Sequence, residues 1–143
     1  MSADSLSDGD VRDLLRSARS FAIVGASNKE GRPSYGVMAF LIARGYEVFP
    51  VNPGLANQDI LGRKVFATLA AVPAPIDVVD IFRNSDAAAQ AVDEALAEQD
   101  RLQLKAIWMQ LGVVNLSAAA AAEAAGLTVV MDRCPKIEAA RLL

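Results

Sequence analysis

FAIVGASNKEGRPSYGVMAF, residues 21–40, decides the fold. It opens with an unbroken apolar run that ends at Gly25, the pattern of a short strand buried on both faces. Further on, Val37, Phe40, Leu41 and Arg44 recur at helical spacing, and Gly45 stands where such a helix stops. Between strand and helix lies a polar loop. Gly25 allows close backbone approach, Ser27 and Asn28 offer a hydroxyl and an amide, and Lys29 and Arg32 offer positive charge. Ser34 is expected to cap a helix that starts near Tyr35, whose free N–H groups and dipole favour an anion. The loop therefore reads as a phosphate cradle rather than an ordinary strand-to-helix connection. Its G-A-S-N-K-E-G spacing lacks the middle glycine of the dinucleotide fingerprint G-x-G-x-x-G. A NAD site also wants an acidic residue after the second strand, and here that strand ends in Asn52 and Pro53.

The flanking sequence repeats the alternation. YEVFPVNP, IDVVDIF, KAIWMQLG and LTVVMDR read as four more buried strands. Residues 8–18 place Val11, Leu14, Leu15 and Ala18 on one helical face, with Ser7 or Asp8 as cap. SDAAAQAVDEALAEQ is a helix capped by Ser85, with Ala88, Val92, Ala95 and Leu96 inward; LSAAAAAEAAG is another, with Ser117 near its start. CPKIEAARLL closes the chain as a helix. The connector 54–76 carries an extended piece at Lys64 to Phe66 and a helical turn around Leu69 to Val72, limited by Pro73 and Pro75. Residues 1–7 read as a disordered tail. Strands alternating with helices imply right-handed crossovers. The expected fold is a single α/β domain, a Rossmann-like doubly wound parallel sheet of five strands with helices on both faces. The tail and amphipathic helix occupy 1–19 and the domain proper 20–143. The helix at 8–18 packs on the sheet or on another subunit, and periodicity leaves both open.

Composition narrows the function. The 143 residues carry 53% hydrophobic but only 6% aromatic side chains, which suits helices packed on a parallel sheet. A net charge of −3 with no basic run argues against nucleic acid. One cysteine excludes an internal disulfide and fits a reducing compartment. With neither a signal-peptide pattern at the start nor an apolar run of membrane length, the expected location is the cytoplasm. There is no histidine, hence no imidazole base, no Ser–His pair and no His metal ligand. In a doubly wound sheet, ligands sit beyond the carboxyl ends of the strands, where strand order reverses. The segments to inspect are therefore 25–34, 52–54, 82–85, 110–115 and 132–134. Cys134 reads as a small buried hydrophobe or as a thiol on the ligand side beside Arg133. Asp77, Asp80 and Asp132 read as caps and strand-end groups, with an acid pair as the alternative, and Trp108 and Met109 as core.

FAIVGASNKEGRPSYGV, GYEVFPVNP, LGRKVFATL, IDVVDIFRNS, WMQLGVVN and AGLTVVMDRCPKIE together resemble the small CoA-binding proteins. These are Rossmann-like domains similar to the N-terminal domain of the succinyl-CoA synthetase α subunit, and the resemblance spans roughly residues 20–138. It implies that Gly25, Ala26, Ser27 and Asn28 meet the CoA phosphates and that Arg32, Pro33 and Ser34 lead into the first helix. Asn52 and Pro53 would lie beside the adenosine end. Phe82 and Arg83 would line the nucleotide cleft, and Gln110, Leu111 and Gly112 would form the turn after the fourth strand. Synthetase relatives place a lysine after the second strand, whereas GLANQ here has no basic residue. Charge for the phosphates then falls to Lys29, Arg32 or Arg83. Ligase chemistry in those relatives uses a phosphorylated histidine in a separate domain and a partner subunit, and this chain has no histidine. The expected function is a stand-alone module binding coenzyme A or an acyl-CoA, more a binder than an enzyme. The alternatives are a small enzyme acting on a CoA thioester or disulfide and an NAD(P)-binding redox protein.

Overall fold

The computed structural model describes residues 4–143. After α1 (Asp8–Ser17) the chain alternates through β1 (Ser20–Val24), α2 (Pro33–Ala43) and β2 (Glu47–Val51). A two-stranded hairpin follows, β3 (Asp59–Ile60) and β4 (Arg63–Lys64). Then come β5 (Val78–Ile81), α3 (Ser85–Ala97), the short α4 (Gln99–Leu102), β6 (Ala106–Met109), α5 (Leu116–Ala124), β7 (Thr128–Val130) and α6 (Pro135–Leu142). The main sheet has the order β2-β1-β5-β6-β7 and every pairing in it is parallel. In this sheet β2 lies on one side of β1 and β5, β6 and β7 on the other, so the order reverses between β1 and β5.

Strand alternation divides the core. Phe21, Ile23, Val78 and Trp108 face one layer with Val11, Leu14 and Leu15 of α1 and Val37, Met38 and Leu41 of α2. Ala22, Val24, Val79, Ile81, Ile107 and Met109 face the other, against Ala88, Val92 and Ala95 of α3 and Ala118 and Ala122 of α5. The small alanines let α3 and α5 approach the sheet and each other. The five-stranded doubly wound α/β expectation holds, and α1 packs in the first layer of its own domain.

Several local expectations are corrected. Asn84, not Ser85, caps α3, its Oδ1 accepting from Ala87 N at 2.8 Å. Asn115 caps α5 in the same way at 3.0 Å, with Ser117 near the helix start as expected. In both cases the amide one or two positions upstream reaches the free N–H first. α2 begins at Pro33 with Arg32 as a cap that makes no side-chain bond, so Ser34 lies inside the helix rather than before it. Its inward face is Ser34, Val37, Met38 and Leu41, while Arg44 is exposed at the C-cap. The hairpin, the 3-10 turn Pro53–Leu55 and α4 were not anticipated.

Residues 1–3 lie outside the described residues, but the rest of the expected tail is held. Asp4 accepts from Arg133 Nε at 3.0 Å and Nη2 at 2.9 Å, from Met131 N at 2.9 Å and from Leu6 N at 3.1 Å. Burial works to raise the Asp4 pKa, but these donors outweigh it and the net shift is downward. Ser7 and Asp10 form a reciprocal capping box that starts α1.

Asp80 is the anomaly of the sheet. It lies in the middle of β5 between Ile23 and Trp108, has no exposed surface, and neither carboxylate oxygen has a hydrogen-bond partner. Desolvation pushes its pKa well up, so the folded chain holds it as the neutral acid. The unfolded chain releases that proton at an ordinary carboxylate pKa of about 4. This group's contribution to stability is therefore complete below about pH 4 and falls as pH rises toward the raised folded value. Asp80→Asn mimics the neutral acid. Its stability relative to the native chain is expected to improve as pH rises from about 4.5 toward the raised folded pKa, in urea unfolding followed by Trp108 fluorescence. A difference independent of pH would show that Asp80 is not protonated in the fold.

Candidate functional site

At the reversal of strand order the backbone itself makes a cleft. β1 and β5 run paired up to Val24 and Ile81 and then turn away into α2 and α3. Gly25 follows at φ +87°, and a Cβ on it would lie 2.7 Å from the Phe82 carbonyl oxygen. Only glycine fits such a contact. From here the β1–α2 loop is tied down by short polar bonds. Ser27 N donates to Ser34 Oγ at 3.0 Å, Lys29 N to Ser27 Oγ at 3.1 Å, and Arg32 N to Lys29 O at 3.0 Å. Ser34 thus braces the loop from within the helix instead of capping it.

The resulting cleft, about 410 Å³, is lined by Gly25, Ala26, Ser27, Lys29, Arg32, Pro33, Ser34, Asn52, Phe82, Arg83, Gln110, Leu111 and Val113. Three expected residues stand apart. Asn28 is exposed at the outer bend of the loop. Gly112 faces away and its N–H donates to Asp132 Oδ1 at 2.7 Å. Pro53 lies in an adjoining recess of about 460 Å³ that also includes Ala67, Thr68, Gln90 and Glu94 and meets the cleft at Gly25, Asn52 and Arg83. Val113 falls in the expected 110–115 segment but was not singled out as a site residue. Its position one residue beyond the Gln110–Leu111–Gly112 turn was the available signal, since that turn closes with a 2.7 Å bond from Val113 N to Gln110 O.

Charge and polarity in the cleft are uneven. Among the described residues, Lys29, Arg32 and Arg83 take part in no ion pair and their side chains make no hydrogen bond to the protein. The N-terminal end of α2 opens beside the first two, uncapped by any side chain. Asn52 is fully engaged, its Nδ2 donating to Ala26 O at 2.8 Å and its Oδ1 accepting from Gly54 N at 2.9 Å. Gln110 is 7% exposed, and its Oε1 has no partner. Cys134, by contrast, is buried as the cap of α6 and packs in the α1–α2 layer, while Arg133 is turned to Asp4, Leu6 O and Glu138. The described residues contain no acidic, cysteine or histidine cluster that could hold a metal ion. None of their helices is long and apolar enough to cross a membrane.

Residues 19–140 match the family model described as a CoA binding domain, and the chain belongs to that family. It is 34% identical over 131 residues to uncharacterized protein YneT of Bacillus subtilis (strain 168), a match covering 92% of this chain and 93% of that one. A solved structure of a hypothetical protein from Pyrococcus horikoshii OT3 superposes with a TM-score of 0.90 at 35% identity, covering 99% of this chain and 96% of that one. A more partial relative is the alpha subunit of ADP-forming acetate–CoA ligase I of Pyrococcus furiosus, 33% identical over 86 residues. That match covers 57% of this chain and 19% of the subunit.

The two glycines of the loop are expected to respond differently. Gly25→Ala combines a positive φ with a backbone clash and should cost about 2 kcal/mol or more. Gly31→Ala meets nothing within 4 Å and should be close to neutral. Urea unfolding of the two variants decides it; equal effects would contradict the close pass at Gly25.

Proposed function

We propose that the protein binds coenzyme A or an acyl-CoA in this cleft, as a stand-alone binding module. The observation that carries the reading is the trio of unpaired cations, Lys29, Arg32 and Arg83, gathered around a glycine turn and an uncapped helix N-terminus. That combination suits a diphosphate, which gains from both fixed N–H dipoles and guanidinium forks. The family membership supports coenzyme A as the molecule that carries it. Gly25, Ala26, Ser27, Lys29 and residues 32–34 then meet the phosphates. The recess behind Arg83 takes the adenosine end, with Pro53 as an apolar wall. Phe82, Leu111 and Val113 supply apolar contacts for the pantetheine arm.

NAD is disfavoured by the same geometry. Asn52 stands where an acidic residue would bind a ribose diol, and both ends of its amide are already bonded to backbone. Relatives of about this length support reading the domain as a module in its own right. Buried Cys134, with no disulfide, fits the reducing conditions of the cytoplasm.

Purified protein should release CoA or an acyl-CoA on denaturation, identified by mass spectrometry. In titration calorimetry Arg83→Ala should bind CoA about tenfold more weakly, the scale of one lost charge-assisted hydrogen bond. Released NAD without CoA would overturn the reading, and an unchanged affinity would remove Arg83 from the site.

A further inference from the structure

The large apolar side chains left open to water are not scattered over the described surface. Leu111, Val114 and Leu116 lie in the connection from β6 into α5 and Ile137 in the first turn of α6, with only Leu143 elsewhere, near the chain end. Both connections follow strands, so four of these five side chains sit at the carboxyl end of the sheet, the end that carries the cleft. Leu111 is 58% exposed and Leu116 68%. The loop that presents them is pinned. Val114 N donates to Ser85 Oγ at 3.0 Å, Asn115 Nδ2 to Ser85 O at 2.9 Å and Gly112 N to Asp132 Oδ1 at 2.7 Å. Folding does not ask for leucine at 116. It is the first residue of α5, where an acidic or polar side chain would be better hydrated and better matched to the dipole.

Leu111 also lines the cleft, so the connection that carries Val114 and Leu116 starts at the cleft wall. The cations Lys29 and Arg32 stand on the loop after β1, and β5 separates that strand from β6. Two inter-strand spacings, about 10 Å, therefore divide the charged end from the apolar one, a span that a pantetheine arm bridges. We propose that the shelf of Leu111, Val114 and Leu116 holds the acyl chain of a medium-chain acyl thioester of coenzyme A, so that the occupant is an acyl-CoA with an apolar chain rather than free CoA. This rests on the CoA reading of the cleft. Three small aliphatic side chains are far short of the roughly 800 Å² per partner that a stable protein interface buries, and they suit an alkyl chain.

The test is calorimetry with CoA, acetyl-CoA and octanoyl-CoA, the last below its micelle concentration, on the native chain and on Leu116→Ser. Octanoyl-CoA is expected to bind the native chain about tenfold more tightly than acetyl-CoA, the effect of burying about two methylene groups. Leu116→Ser, on an exposed helix position, should keep the native affinity for CoA and acetyl-CoA and lose the gain for octanoyl-CoA. Equal affinities for the three ligands, or a chain-length gain that Leu116→Ser leaves intact, overturns the acyl shelf while the CoA site stands. Equal affinities together with self-association that Leu116→Ser abolishes in sedimentation would assign the shelf to a second copy of the chain and overturn it too. Failure of all three ligands to bind would remove the CoA reading itself, and the shelf with it.

Discussion

β1 and β5 share a ladder of hydrogen bonds until Val24 and Ile81, and then their continuations leave for opposite faces of the sheet. At the parting point Gly25 passes so close to the Phe82 carbonyl that no side chain fits between them. The contact keeps the two loops together at the base while their helices diverge above it. A cleft follows from that divergence, and its floor is backbone. Everything else in the site is placed relative to this gap, from the start of α2 on one wall to Arg83 on the other.

The polar side chains around the gap divide into two sets. Asn52, Ser27, Ser34, Ser85 and Asp132 are used by the protein itself, each bonded to a backbone group of its own or a neighbouring segment. They fix loops that would otherwise move. Lys29, Arg32 and Arg83 are left without protein partners, and they are the groups suited to an anion. Some basic residues away from the cleft are held by carboxylates. Arg101, Arg133 and Arg141 are each paired with a carboxylate, and Arg133 spends its fork on Asp4, drawing the N-terminal segment over the exit of β7. A chain with net negative charge thus still presents local positive charge at the cleft.

Beneath the cleft the sheet carries an unpaired acid. Asp80 sits two residues before Phe82 on the same face of β5, surrounded by the layer that holds Ile23 and Trp108. A carboxyl with no protein partner is favoured there in its protonated form, because burial raises its pKa. It is a destabilising feature that the folded chain tolerates, and its neutrality leaves the cations above it without a buried negative charge beneath.

Much of the fold was legible in residues 21–40 and the four other apolar runs. A strand buried on both faces reads as a continuous hydrophobic run, and alternation with helical periodicity leaves few topologies open. Most of the cleft was legible for the same reason: in such a sheet the residues after each strand must gather at one end. The sequence alone could not say which polar residue would be spent on structure. Asn84 rather than Ser85 caps α3, Ser34 braces the loop rather than capping α2, and Asn52 bonds its neighbours. Each choice depends on distances the folded backbone sets, across 3 residues for Asn84, 7 for Ser34 and 26 for Asn52. Pro53 falls into the adjoining recess and Val113 into the cleft because loop curvature, which composition does not encode, decides which side each residue faces. The anchoring of Asp4 by Arg133, 129 positions away, and the burial of Asp80 were likewise decided only when the layers closed. Local patterning determines which elements form, because it depends on near neighbours; pairing among distant polar groups depends on the packed geometry and is settled only there.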